Sequence, residues 1–377
     1  MDMPFMESQG AGPARRTVLG FGSLVVGLGL LSACTPSAGP TPDPTAPSSD
    51  PATVPGPVIT ATLATGLDTP WSIAFLPGAE ALVSERDTGA IRSIGPAGTP
   101  VVATVPGVVH GGEGGLLGLA PSPDFTSTGQ LFIYYTAVDG NRVSRFAHSR
   151  AGLGPEQVLV SGIPSASIHN GGRIKFGPDG YLYIGTGDAG QQDAAQDIGS
   201  LGGKILRVDP DGAAAPGNPF GSLIFSFGHR NVQGLAWDAS GRMWASELGP
   251  DRDDELNLIT PGTNYGWPLV TGAQADVRFE PAAHVWPSTA DASPSALAID
   301  DGVAYVAALR GERLWTLPLP TRGRENAGGG TLSGSTEYFQ GEYGRLRDVV
   351  RAPDSSLWIA TNEGSSSRIL RLVPGRG

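Results

Sequence analysis

One unit recurs along this chain, and it limits the fold more than any other feature. An apolar pair separated by one residue leads into a Pro/Asp/Gly turn and then a second strand; residues 173–187 are the clearest copy. Related copies begin at Trp71, Gly115, Gly234, Pro294 and Asp348. Their anchors Ile73, Leu117, Ile174, Leu235, Leu297 and Val349 are spaced by 44, 57, 61, 62 and 52 residues. Recurrence near roughly 40 to 50 residues marks propellers and solenoids, and the period-two alternation inside each unit specifies strands. Six units of about four strands would close a ring. The expected fold is therefore all-β: a six-bladed β-propeller of four-stranded antiparallel blades. Closure removes free sheet edges, so no covering helices are needed. The 56 glycines and 33 prolines suit many short strands joined by turns. Runs 205–209, 313–317 and 368–372 read as outer strands.

The first 57 residues do not share the repeat. Arg15 and Arg16 precede an apolar run from Val18 to Ala33, which ends in Leu-Ser-Ala-Cys at Cys34. A basic start, a short apolar stretch and small residues before a cut site describe a signal peptide. The paired arginines resemble a twin-arginine export signal, and the ending resembles a bacterial lipobox that would place a lipid on Cys34. The run falls short of the roughly 20 residues a membrane-spanning helix requires. Residues 35–57 are rich in Pro, Thr, Ser and Ala and cannot bury enough apolar surface to order themselves. The expected organisation is an export signal over 1–34, a tether over 35–57 and one propeller over 58–377, held by lipid on the outer face of the cell membrane.

A net charge of −11 argues against a general nucleic-acid surface. Cys34 is the one cysteine, so intramolecular disulfides and cysteine-based zinc sites are excluded. Only Lys175 and Lys204 are lysines; the other basic residues are arginines and a few histidines.

Four segments interrupt the strand pattern with polar residues and glycines, each at a blade boundary. In 167–173, His169 can accept a proton near neutrality, and the adjacent glycines let a flat ligand approach the backbone; a surface histidine without a task would look the same. In 228–234, Arg230 offers a planar fork suited to a carboxylate or quinone oxygen, and Asn231 can donate and accept; ordinary turn chemistry is the other reading. Segment 246–257 holds five acids within nine residues, Glu247 to Glu255. Calcium takes carboxylate and carbonyl oxygens, and the Gly249-Pro250 turn could expose two carbonyls; a solvated acidic loop is equally compatible. In 343–348, Arg345 and Arg347 lie two apart, which on a strand gives one face, aimed either at the axis or at solvent.

From Gly66 to Leu372 the sequence resembles the glucose/sorbosone dehydrogenase family, which includes soluble pyrroloquinoline quinone (PQQ)-dependent glucose and aldose sugar dehydrogenases. The motifs that carry it are 112–118, 169–173, 228–234, Glu247 to Pro250 with Asp253, Asp254 and Glu255, and 345–348. The resemblance implies oxidation of an aldose at its anomeric carbon to a lactone. His169 would be the general base, and hydride would pass to a calcium-polarised quinone. Arg230 would stabilise the quinone oxygen and Asn231 would contact the cofactor. Arg310, Arg345 and Arg347 would hold cofactor carboxylates. Gly249 and Pro250 would hold calcium through their carbonyls, with Asp253, Asp254 and Glu255 as further candidate ligands. The partners would be a sugar and an external electron acceptor.

Two departures from the family's pattern stand out. Glu113 occupies a cofactor-contact position where some members have Gln, and a carboxylate there repels the cofactor unless it faces another group. Ile168 stands beside the base where the soluble glucose enzymes have Asp. The family's substrate-covering loops have no counterpart, which implies an open rim and broad aldose tolerance. Two other classes compete: a calcium-dependent propeller hydrolase such as a lactonase, and a non-catalytic propeller binding a carbohydrate or protein. The fold alone does not choose among them.

Overall fold

The computed structural model describes residues 56–96, 98–320 and 332–375. The expected export signal with Cys34, and nearly all of the expected tether, lie outside them.

The described residues form a six-bladed β-propeller of four-stranded antiparallel sheets. In five blades the chain starts at the axis and meanders outward. The innermost strands of blades one to six are Pro70–Phe75, Leu116–Pro121, Ile174–Phe176, Val232–Trp237, Pro294–Asp300 and Leu346–Arg351. Blade two carries an additional two-residue strand, Gly152–Leu153, on its third strand. The six repeat anchors all fall in these inner strands and are buried. Apolar clusters fill the space between successive blades: Trp71, Leu117, Phe132 and Ile184 pack together, as do Leu314, Leu346, Ile359 and Leu370. Gly234 shows how tightly inner strands approach: a Cβ there would sit 2.7 Å from the Ser295 carbonyl oxygen of the next blade.

The outer strands differ from expectation. Lys204–Val208, Leu314–Pro318 and Ser367–Val373 are third strands, and the true edges are Ile224–Phe227, Thr336–Tyr338 and Val58–Leu67. Thr336–Tyr338 escaped notice because it is three residues long and mostly exposed, whereas Ile224–Phe227 is buried but only four residues long. Val58–Leu67 pairs antiparallel with Ser367–Val373, so the start of the propeller completes its last blade. This clasp closes the ring with backbone hydrogen bonds rather than packing alone.

Because the blades share one direction, the turns leading into the inner strands gather on one face. His169, Arg230, Asn231 and Arg345 sit in such turns, immediately before Ile174, Val232 and Leu346.

Candidate active site

His169 adopts a left-handed backbone with φ of 55°, a conformation histidine tolerates better than most residues but one that must be held in place. The hold is a buried polar network. Tyr134 Oη donates to the Asn170 carbonyl at 2.8 Å, and Asn141 Nδ2 donates to Asn170 Oδ1 at 3.0 Å. Asn170 Nδ2 donates in turn to the Ala166 carbonyl at 2.7 Å. From above, Glu113 Oε2 accepts the His169 backbone N–H at 2.8 Å. Glu113 thus faces a donor of the protein, which answers the repulsion expected of a carboxylate at this position. Gly187 runs so close beneath that a Cβ would lie 2.0 Å from the His169 carbonyl oxygen.

The imidazole is aimed by a carboxylate. His169 Nδ1 lies 2.7 Å from Asp188 Oδ1, and Asp188 is fully buried. Asp188 Oδ1 also accepts the Gly190 N–H at 2.7 Å, and Oδ2 accepts Trp267 Nε1–H at 2.8 Å. Burial pushes the Asp188 carboxyl up, but the bonds from His169, Gly190 and Trp267 outweigh it and hold the group below its ordinary value. An ionised Asp188 fixes the proton on Nδ1 and leaves the Nε2 lone pair available, the tautomer a general base needs.

Cationic and amide groups adjoin this pair. Asp188 N–H donates to the Arg230 carbonyl at 2.9 Å, and the Arg230 guanidinium lies 5.4 Å from the Trp267 ring centre. Arg230 Nη1 donates to the Leu248 carbonyl at 3.2 Å, and its backbone N–H donates to Glu247. Asn231 Oδ1 accepts the Gly171 N–H at 3.0 Å. Arg347, buried, donates through Nη1 to Gln233 Oε1 at 2.9 Å and to Ser295 Oγ at 3.3 Å. Burial, then the neighbouring Arg86, pushes Arg347 down to about 9, while Glu113 acts to raise it. Arg230 Nε, Asn231 Nδ2 and Arg347 Nε are buried without any partner. Buried donors are normally satisfied, so these three groups fit an acceptor-rich ligand at the site.

A small cavity, of ≈ 10 Å³, lies beside Arg230 and is lined by Glu247, Gly249, Pro250, Glu255 and Thr271 among others. Burial first, and then Glu247, pushes the Glu255 carboxyl up to about 8. A site of one-atom size with buried carboxylates has the donor chemistry of a hard cation.

The glucose/sorbosone dehydrogenase family model matches residues 67–371. The chain belongs to this family. It is similar to the PQQ-bound aldose sugar dehydrogenase structure from Streptomyces coelicolor, at 45% identity and a TM-score of 0.79 over 85% of this chain and 98% of that one. The aldose sugar dehydrogenase YliI of Escherichia coli strain K12 is 29% identical over 82% of this chain and 91% of its own length. Quinoprotein glucose dehydrogenase B of Acinetobacter calcoaceticus is 32% identical over 56% of this chain and 53% of its own length.

Within this family member, the sequence-derived residues divide by position. His169, Glu113, Arg230, Asn231 and Arg347 converge as described. Arg345 precedes strand Leu346–Arg351 instead of lying in it, so it does not share a strand face with Arg347. It is half-buried, yet close enough to Arg347 to depress that group's ionisation. Arg310 is exposed and donates to Thr289 Oγ1 at 3.2 Å. The acidic run does not form one donor set, and among the described residues no group of three or more His, Cys, Asp and Glu is placed to hold a metal. Asp254 and Glu255 are adjacent on a strand and point oppositely. Asp254 accepts the N–H groups of Gly249 at 2.8 Å and Ser293 at 2.7 Å, whereas Glu255 accepts that of Gly272 at 2.6 Å. Asp253 accepts Thr271 Oγ1–H at 2.8 Å. Only Glu255 of these three lines the small cavity with Gly249 and Pro250. Asp188 and Trp267 were missed. Asp188 follows the repeat copy by one residue, and a Gly-Asp step just past a strand's upper end is the signal that was available.

Proposed function

We propose that this chain is a PQQ- and calcium-dependent dehydrogenase that oxidises aldose sugars at the anomeric carbon to lactones. The observation that carries this reading is the His169–Asp188 pair beside three orphaned buried donors. Its family membership and its similarity to named aldose sugar dehydrogenases support the same reading.

In this reading His169 Nε2 takes the proton of the anomeric hydroxyl, and the ionised Asp188 stabilises the imidazolium that results. Arg230, Asn231 and Arg347 would hold the cofactor, with Arg345 and Arg310 as further cations for its carboxylates. PQQ, when bound beside Ca²⁺, would supply the hydride acceptor. Glu247, Gly249, Pro250 and Glu255 bound the cation's place. An external acceptor would be needed to reoxidise the cofactor.

Adding PQQ and Ca²⁺ to the purified apo-protein should give dye reduction with aldoses. The absence of both quinone binding and turnover across a sugar panel would reject the reading, and lactone hydrolysis without quinone would favour the hydrolase. His169→Ala should retain quinone binding and lose turnover.

We also propose that Cys34 carries a lipid and tethers the enzyme to the outer face of the membrane. Cys34→Ser should release the protein from the membrane fraction and abolish metabolic labelling by palmitate; unchanged fractionation would refute the anchor.

A further inference from the structure

The inner strands enclose a second cavity on the axis, of ≈ 270 Å³. The site turns precede these strands, whereas this cavity is lined by residues further along them, such as Phe75, Pro121, Phe176 and Arg351. It therefore opens toward the face opposite His169. Most of its wall is apolar, with Ile73, Leu119, Leu235 and Val349 among the contributors.

Arg173, Lys175 and Asp348 break that apolar wall. The Asp348 carboxylate is already engaged, Oδ2 with the Ile73 N–H at 2.6 Å and Oδ1 with Arg173 Nη1 at 3.3 Å. Arg173 Nε donates to the Gln233 carbonyl at 2.9 Å, but Nη2 is buried without a partner. Lys175 Nζ reaches a single acceptor, the Leu235 carbonyl, at 3.4 Å. The chain's other lysine shows what a satisfied ammonium looks like here: Lys204 Nζ donates to the carbonyls of Ala194 at 2.7 Å, Ala195 at 3.1 Å and Gly202 at 2.7 Å. Two cations thus face one carboxylate, and donor capacity on both is unspent. Arg351 at the rim is neutralised separately by Asp300 at 2.5 Å.

We propose that this axial cavity binds one small aliphatic monocarboxylate, its head on Lys175 Nζ beside the Arg173–Asp348 pair and its chain against the apolar wall. One monoanion restores charge balance and supplies the missing acceptor through charge-assisted bonds. The apolar wall selects for methylenes over hydroxyls, since each buried methylene adds affinity and each unpaired hydroxyl costs it. Burial pushes Lys175 down to about 8, Asp348 draws it back up and Arg173 lowers it further. A bound carboxylate would hold the ammonium charged. The site is separate from the PQQ cradle, and its test does not require a working dehydrogenase.

Calorimetric titration of the full chain with hexanoate at pH 7 should show one site per chain, at least tenfold tighter than acetate or chloride. Lys175→Met should weaken hexanoate at least tenfold while leaving the folded spectrum and sugar oxidation intact. Reductive methylation followed by peptide mass mapping gives a readout on the unmutated protein: hexanoate should protect Lys175 and leave Lys204 unaffected. Three results would each overturn the proposal: hexanoate binding no tighter than chloride, gluconate binding tighter than hexanoate, or Lys175 modified equally with and without hexanoate.

Discussion

Asp188 meets His169 Nδ1 at 2.7 Å through one oxygen and Trp267 Nε1 at 2.8 Å through the other. Both oxygens must accept, because Oδ1 also takes the Gly190 N–H. An amide in this place cannot satisfy the set. Asp188→Asn either turns its NH₂ toward the indole, donor against donor, or turns it toward His169 and Gly190 and forces the proton onto Nε2. The variant should lose about 100- to 10,000-fold in kcat with KM changed only a few-fold, the loss expected of a general base held in the wrong tautomer. Steady-state kinetics of the PQQ-loaded enzyme decides it; kcat within threefold of the parent would remove Asp188 from the mechanism.

The same carboxylate carries a pH signature in stability. Its folded-state value lies below its ordinary one, so the folded chain binds fewer protons than the unfolded chain as pH falls toward that value. Its contribution is full above the unfolded carboxylate range near 4 and is lost as pH drops through the lower, folded value. The Tm gap between the parent and Asp188→Asn should therefore be widest at neutral pH and shrink below about pH 4. Calorimetric scans at pH 7 and pH 3 test the sign, and a gap that widens in acid would contradict it.

How much of this was legible beforehand follows from where the physical signal resides. The inner strands announce themselves because they are buried on both faces and repeat six times. The edge strand Thr336–Tyr338 is largely solvated and only three residues long, so no periodicity marks it. His169, Arg230, Asn231 and Arg347 stood out as polar residues in glycine-rich breaks. Asp188 did not, since its role depends on a bond to a residue 19 positions earlier and an indole 79 positions later. The acidic run is divided for a related reason. Composition places Asp253, Asp254 and Glu255 together, whereas strand alternation sends adjacent side chains to opposite faces.

Glu255 links the small cavity to stability. Its half-buried carboxyl, next to Glu247, has no cation among its partners. Calcium binding there should stabilise the folded chain by mass action, about 2.7 kcal/mol at a hundred times Kd. Ca²⁺ should thus raise Tm by several degrees, and a chelator should reverse it. Glu255→Gln should abolish the rise. A calcium-induced shift of equal size in that variant would place the ion elsewhere.

Arg347 has one guanidinium nitrogen bonded within the protein and Nε orphaned. A ligand carboxylate reaching it gains a charge-assisted bond in a buried setting. Arg347→Gln should weaken PQQ binding by about 100-fold, which corresponds to about 2.7 kcal/mol. Quenching of tryptophan fluorescence during quinone titration of the apo-protein measures it. Unchanged affinity with a normal Tm would show that the orphaned nitrogen does not serve the cofactor.

Ser226, His229 and Glu247 form a chain that resembles a hydrolase triad: Ser226 Oγ lies 2.8 Å from His229 Nε2, and His229 Nδ1 lies 2.8 Å from Glu247 Oε2. Ser226 and His229 have no exposed surface, however, and His229 is stacked on Tyr265 at 4.7 Å between ring centres. A nucleophile without access to substrate performs no chemistry. The chain instead fixes Glu247, whose other oxygen accepts the Arg230 backbone N–H and so sets the turn that presents the guanidinium. Ser226→Ala leaves a buried imidazole nitrogen unpaired and should cost about 1–3 kcal/mol in denaturant unfolding. Sugar oxidation by the PQQ-loaded variant should stay within about threefold of the parent, since Glu247 keeps its bond to Arg230. Lactone hydrolysis by the unmutated chain that disappears in Ser226→Ala would reverse this assignment and make the buried chain catalytic.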